Sequence, residues 1–205
     1  SSFIAIQDST NKLPNTAYLA GEELKYMLYY GIMDGGTARI SLRDFPTKDG
    51  KKILHAKAEA KTIGVTRMVI AIDDVYESFF DEKDCKPIKA IRNIKENNYV
   101  YYDEVLYDHA THRVKSKKKG IVNVPPNIYD IISSLYYMRR TSFKGIKLND
   151  TISVMTFFAD EIFPYRIVYK GKEKITTKIG KFNALKFQPV VEVGRVFKTD
   201  DGMRF

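Results

Sequence analysis

Strict two-residue alternation is the feature that most constrains this chain. In Leu54-His55-Ala56-Lys57-Ala58-Glu59-Ala60-Lys61 the apolar residues fall at every second position and polar or charged ones fill the rest. That is the period of a strand with one face in the core and the other in water. Ala, Lys and Glu favour helix by intrinsic propensity, but a helix would scatter these apolar residues round its circumference, so the pattern predicts a strand. The same period places Leu24, Tyr26, Leu28 and Tyr30 on one face and returns in Ala38, Ile40 and Leu42. These two runs read as a hairpin turning at Asp34-Gly35-Gly36, residues that tolerate positive φ.

Further along, Ile63 to Ile72 reads as a short helix or turn, "DDVYESFFD" as a strand and Asp81 to Pro87 as a turn. Two more strands then join at Glu96-Asn97-Asn98. "HATHRVKS" continues the alternation weakly, and "KKKGIVNVPP" reads as a loop. Pro125-Pro126 opens a helix, since proline is tolerated where the first N–H groups lack partners. Ile128, Ile131, Ile132, Leu135 and Tyr136 fall on one stripe of it, and Arg139 and Arg140 suit its negative end. "TISVMTFFAD", "FPYRIVYKGKEKITTKI" with a turn at Lys170-Gly171, and "ALKFQPVVEVG" supply about four more strands. The expectation is a mainly β fold. It is an antiparallel β-barrel or strongly curved sheet of about nine to eleven strands, with one or two short helices packed on it.

At 205 residues with no internal repeat or low-complexity linker, the chain fits one domain spanning 1–205. Hydrophobic residues at 44% and charged residues at 29% argue against disorder. Lys and Arg exceed Asp and Glu by nine, a surface that attracts anions, yet the charge is spread along the chain. The one tight run, Arg113 to Lys119, reads first as a solvated edge. Basic residues alternate with acids and no face collects them, so nucleic acid is not an expected partner. The single Cys85 permits no intrachain disulfide and has no evident His partner to activate it. No apolar run reaches the roughly 18 residues that span a bilayer. The opening "SSFIAIQDST" fits either a fragment prepared for expression or a mature exported protein whose signal peptide has been removed.

No constellation identifies a reaction, and no cofactor or metal is expected. Ser133 and Ser134 lie in the helix without a G-x-S-x-G elbow and read as packing residues. His109 and His112, three apart on a strand, would point to opposite faces and make a poor metal pair. The carboxylates Asp73, Asp74 and Glu77, and Asp81, Glu82 and Asp84, are explained first by turn and cap chemistry. Aromatic abundance is more telling, with fourteen Tyr and twelve Phe but no Trp. Tyr99, Tyr101 and Tyr107 lie on one side of a strand and Tyr102 on the other, so both faces meet something apolar or amphipathic. A helix set against many strands can close a barrel end or lie on a curved sheet, and either arrangement creates a pocket. Tyr26, Tyr30, Tyr99, Tyr101, Tyr107 and Tyr136 are the candidate lining of such a cavity.

In order and spacing, "GEELKYMLYYGIMDGGTARI", "AKT" at Ala60 to Thr62, "DDVYESFFD", Pro87, "YDIISSLYYMRR" and "GKEKITTKIGKFNALKFQPVVEVGRVF" resemble the bacterial domain-of-unknown-function family 3108. The resemblance covers nearly all the chain from Gly21 onward. It implies an exported protein of Gram-negative envelopes, in the periplasm or on the inner face of the outer membrane. It carries over no catalytic residues. Relatives run on past the equivalent of "TDDGMRF", so the last strand or two of the pattern are expected to be missing. The functional expectation is a non-enzymatic binder of a lipid-like or glycan-like ligand in an aromatic-lined cavity, with peripheral membrane association as a further expectation. An interaction module that pairs with an envelope protein is the first alternative. A hydrolase of envelope polymers, with carboxylates such as Asp73 or Asp81 in a cleft, is the second.

Overall fold

The computed structural model describes residues 3–5, 17–30, 33–177 and 180–190, and the fold is mainly β with two helices. The strands are β1 Phe3–Ala5, β2 Glu23–Tyr30, β3 Met33–Phe45, β4 Ile53–Thr62, β5 Asp73–Asp81, β6 Pro87–Glu96, β7 Tyr99–Asp108, β8 Arg113–Ser116, β9 Gly120–Asn123, β10 Thr151–Phe158, β11 Glu161–Thr177 and β12 Gly180–Pro189. The helices are α1 Gly64–Val69 and α2 Ile131–Arg139. Strands β2 to β9 form one antiparallel sheet in chain order, and a second sheet has the order β1-β10-β11-β12. Among the described residues no pairing joins β2 to β9, so the larger sheet is not a closed barrel.

The chain divides into two compact units. One comprises Ser9–Ser142 and Met155–Phe163, and the other comprises Ser1–Asp8, Phe143–Val154 and Pro164–Phe205. In the latter, β1 runs parallel to β10, β11 pairs with β12, and Phe187 packs on Phe143 and Tyr169 at centroid distances of 4.9 and 5.4 Å. The larger unit holds the eight-stranded sheet and both helices. Its inner face, the one α2 packs on, is fixed by register. Leu42, Ala56, Ser78, Ala90, Val105 and Ser116 lie opposite one another in turn across β3 to β8. Leu42, Ala56 and Ser78 are fully buried in this row, and α2 packs on β4 and β5 here. A second cluster of Val105, Tyr107, Val114, Val124, Ile128 and Phe157 closes the β7 to β9 end.

Several local expectations need correction. Asp34, Gly35 and Gly36 lie inside β3, and the register shifts between Leu28 and Tyr29. Gly36 is required there by space, since a Cβ would meet the Lys61 carbonyl oxygen at 2.7 Å. Lys170-Gly171 is likewise a bulge within β11, with Gly171 at φ +104°, and not a turn. Gly120–Asn123, read as loop, pairs with β8 as β9. The helix starts at Ile131, five residues past Pro126, because Asp130 caps it. The Asp130 carboxylate accepts from the N–H groups of Ile132 and Ser133, and the Ser133 hydroxyl accepts from the Asp130 N–H. Tyr137 and Met138 are buried beside Ile132 and Tyr136, whereas Ile131 and Leu135 are only half-buried.

Tyr136 packs edge-on to Tyr18 at 4.8 Å and against Phe80 at 5.3 Å. Replacing it by Ala should cost about 3–4 kcal/mol, whereas Leu135→Ala should cost under about 1 kcal/mol. Urea unfolding of the two variants checks this, and equal losses would contradict the placement of the helix. On β5, burial raises the Asp74 carboxyl to about 6, opposed by the Lys95 N–H at 3.1 Å and aided by Glu96. A carboxyl raised in the fold binds its proton more tightly when folded. Its contribution is therefore full below about pH 4, the unfolded value, and is lost as pH rises through about 6. Between pH 4 and 7 the stability of Asp74→Asn should gain on wild type by about 1–2 kcal/mol, and a pH-independent gap would contradict it.

Candidate functional site

The next register row on the inner face has a different character. Leu24, Ile40, Ala58, Tyr76, Arg92 and Asp103 stand opposite one another in turn from β2 to β7. With strands about 4.8 Å apart, this track runs roughly 24 Å across the sheet. It is apolar over β2 to β4, aromatic at β5 and charged at β6 and β7. Leu24, Ile40, Ala58, Tyr76 and Arg92 are each only partly buried, unlike the fully buried residues beneath α2. Alongside runs a parallel row of Tyr26, Ala38, Ala60 and Asp74. Alanines at 38, 58 and 60 leave a shallow floor between Tyr26 on one side and Tyr76 on the other.

At the charged end a cleft of about 30 Å³ is lined in part by Tyr76, Arg92, Asp103, Tyr107, Asp130 and Phe158. Arg92 stacks over Phe158 at 4.4 Å and Tyr101 at 5.1 Å. Among the described residues it closes no ion pair with Asp103, its cross-strand neighbour, and its Nε has no hydrogen-bond partner. Asp103 is 2% exposed, and its Oδ1 also lacks a partner. Burial holds its carboxyl above the ordinary value, with Asp160 adding to the shift. Asp130 on the same cleft is committed elsewhere, to Ile132 N, Ser133 N and the Ser78 hydroxyl at 2.6 Å. Burial raises its carboxyl too, against those hydrogen bonds.

The six tyrosines expected to line one cavity stand in several places. Tyr26 flanks the track, 48% exposed. Tyr30 ends β2 opposite Met33, and its side chain lies outside the described residues. Tyr99 and Tyr101 stack on each other at 6.4 Å, with Arg92 and Lys118 over Tyr101. Tyr107 is buried on the cleft and donates to the Phe157 carbonyl at 3.3 Å. Tyr136 is buried in α2. Sequence reasoning missed Arg92 and Asp103, although a signal was there. Each is a charge in the apolar phase of its strand, Arg92 between Ala90 and Ile94 and Asp103 between Tyr101 and Val105.

The other candidates have structural roles. Ser133 belongs to the capping box, and Ser134 donates to the Ile131 carbonyl at 2.7 Å. His109 donates to the Pro87 carbonyl, and His112 lies in the turn before β8 at φ 51°. Cys85 is fully buried against the Tyr18 hydroxyl, and burial pushes its thiol up, away from nucleophilic character. Asp73 pairs with Arg67, and Asp81 accepts from the Lys83 N–H. They stand at opposite ends of β5, roughly 26 Å apart along the strand.

No curated protein matches the chain. Among solved structures it is similar to a DUF1089 family protein from Pseudomonas aeruginosa, at 11% identity over 78% of this chain and 90% of that one. The TM-score is 0.39, too low to bear on function. The family model described as a protein of unknown function, DUF3108, matches residues 25–205, and the chain therefore belongs to the DUF3108 family.

Proposed function

We propose that the chain is a non-enzymatic binder of a lipid-like amphiphile, which lies along the inner face of a strongly curved eight-stranded sheet. One observation carries the reading. A single register row changes from Leu24, Ile40 and Ala58 through Tyr76 to Arg92 and Asp103, matching the order of an alkyl chain and a polar head. Curvature is supported by the small residues Gly36, Ala38, Ala56, Ala58 and Ala60 on this face, where a bending sheet crowds side chains, and by the bulge beside Gly36. The 30 Å³ cleft is far below the roughly 300–1,000 Å³ of pockets that enclose drug-sized ligands. This favours a chain laid in a track over an enclosed ligand or a glycan ring.

An envelope location belongs to the same proposal and rests on the sequence resemblance. Peripheral membrane association is supported by α1, where Val65, Met68 and Val69 are exposed beside Arg67. A second reading, pairing with an envelope protein, has its own support in β2. That strand is an edge of the described sheet, and Tyr26, Met27, Leu28 and Tyr29 are exposed on its two sides.

Ala58→Trp fills the floor of the track from a partly exposed position. It should weaken binding of a dodecyl amphiphile by about tenfold or more, the loss of roughly 1.4 kcal/mol of apolar contact, while Ile121→Ser on the distant β9 should leave it unchanged. Fluorescence displacement titration measures both. Unchanged affinity in Ala58→Trp would remove the track from consideration, and binding lost only on β2 substitution would favour the pairing reading.

A further inference from the structure

We propose that the cleft at the charged end of the track receives an uncharged polar headgroup that both donates and accepts hydrogen bonds, such as a hydroxyl. This rests on the amphiphile reading above and specifies what the head must be. The net positive charge of the chain suggests an anionic head at first sight, but the cleft has the opposite local balance. An anion there would face Asp103 and Asp130, and a cation would face Arg92.

Two residues that line the cleft each carry a buried side-chain atom without a partner, one an acceptor and one a donor. Asp103 Oδ1 and Arg92 Nε are buried without partners, although the residues oppose each other across β6 and β7. Buried polar atoms in folded proteins are almost always satisfied, by protein, water or ligand. The other charged groups on the cleft are already occupied. Asp130 accepts from α2 and Ser78, and Glu77 is paired with His55 at 2.6 Å. A hydroxyl could donate to Asp103 and accept from Arg92 at the same time. The volume of about 30 Å³ admits a group of that size. Tyr76 lines the cleft and also stands opposite Ala58, so a head seated there leaves its chain on the apolar part of the track.

The test compares decanol, decanoate and decylamine by isothermal titration calorimetry, all below their aggregation concentrations. Wild type, Asp103→Leu and Ala58→Trp are titrated, with circular dichroism to confirm folding. Wild type should bind decanol about tenfold more tightly than either charged analogue, the worth of a satisfied buried hydrogen-bonding pair. Asp103→Leu should reduce that preference to within about twofold while still binding the chain, at the loss of one hydrogen bond. Ala58→Trp should weaken all three together. Equal affinities in wild type, or a preference that survives Asp103→Leu, would overturn the headgroup assignment and leave the pair as a water site. Binding of none of the three would instead overturn the amphiphile reading beneath it. Where Asp103→Leu fails to fold, the wild-type ranking of the three compounds decides alone.

Discussion

The larger unit depends on where Asp130 sits. Its carboxylate caps α2 through the N–H groups of Ile132 and Ser133 and takes the hydroxyl of Ser78 from the middle of β5. A nine-residue helix is too short to hold itself together in water, so its stability comes from this anchor and from the face it buries. The opposite end is fixed in a similar way. Arg139 pairs with Glu22 at 2.6 and 2.7 Å and lies over Tyr18, and Arg140 donates to the Glu82 and Lys83 carbonyls of the β5–β6 turn. The helix thereby covers the row where it crosses β4 and β5, at Ala56 and Ser78, and the adjoining row from Leu24 to Arg92 remains partly open.

That open row contains a tension that a purely structural sheet would resolve. A buried carboxylate with one oxygen left without a partner costs free energy, and an apolar residue of similar size is often neutral or more stable there. Arg92 is close enough to offset the charge, yet its guanidinium lies against two aromatic rings. Stacking keeps Arg92 on the aromatic rings and leaves Asp103 with an open acceptor. The proposed headgroup completes this arrangement.

Much of the fold was legible because alternation is a local property. β4 is a strand despite its helical composition, since Ala56 packs against Leu42 and Ser78 only when every second side chain points inward. The turns at Asp81 to Pro87 and at Asn97 were equally readable from composition, with Asn97 adopting φ 49°. Errors came where a residue has two uses. Gly35-Gly36 reads as a turn and serves a bulge, and Pro125-Pro126 precedes a helix without capping it. The real cap, Asp130 with Ser133, is a capping pair in which serine takes the place usually held by Glu or Gln. The candidate site was less legible. Tyrosines attract notice by number, but the track is made by pairing six strands in register, and alanines at 58 and 60 matter through what they leave uncovered. Only the out-of-phase charges at Arg92 and Asp103 could have marked it in advance.

The central claim is that an alkyl chain lies over the alanine floor and stops at Tyr76. Methyl-resolved NMR with alanine labelling tests this most directly, because Ala38, Ala58 and Ala60 line the open rows while Ala56 is sealed beneath α2. On titration with an amphiphile bearing a single alkyl chain, the account predicts shifts and intermolecular NOEs at Ala58 and Ala60, smaller ones at Ala38, and none at Ala56. Saturable binding that leaves all four methyls unmoved would contradict it.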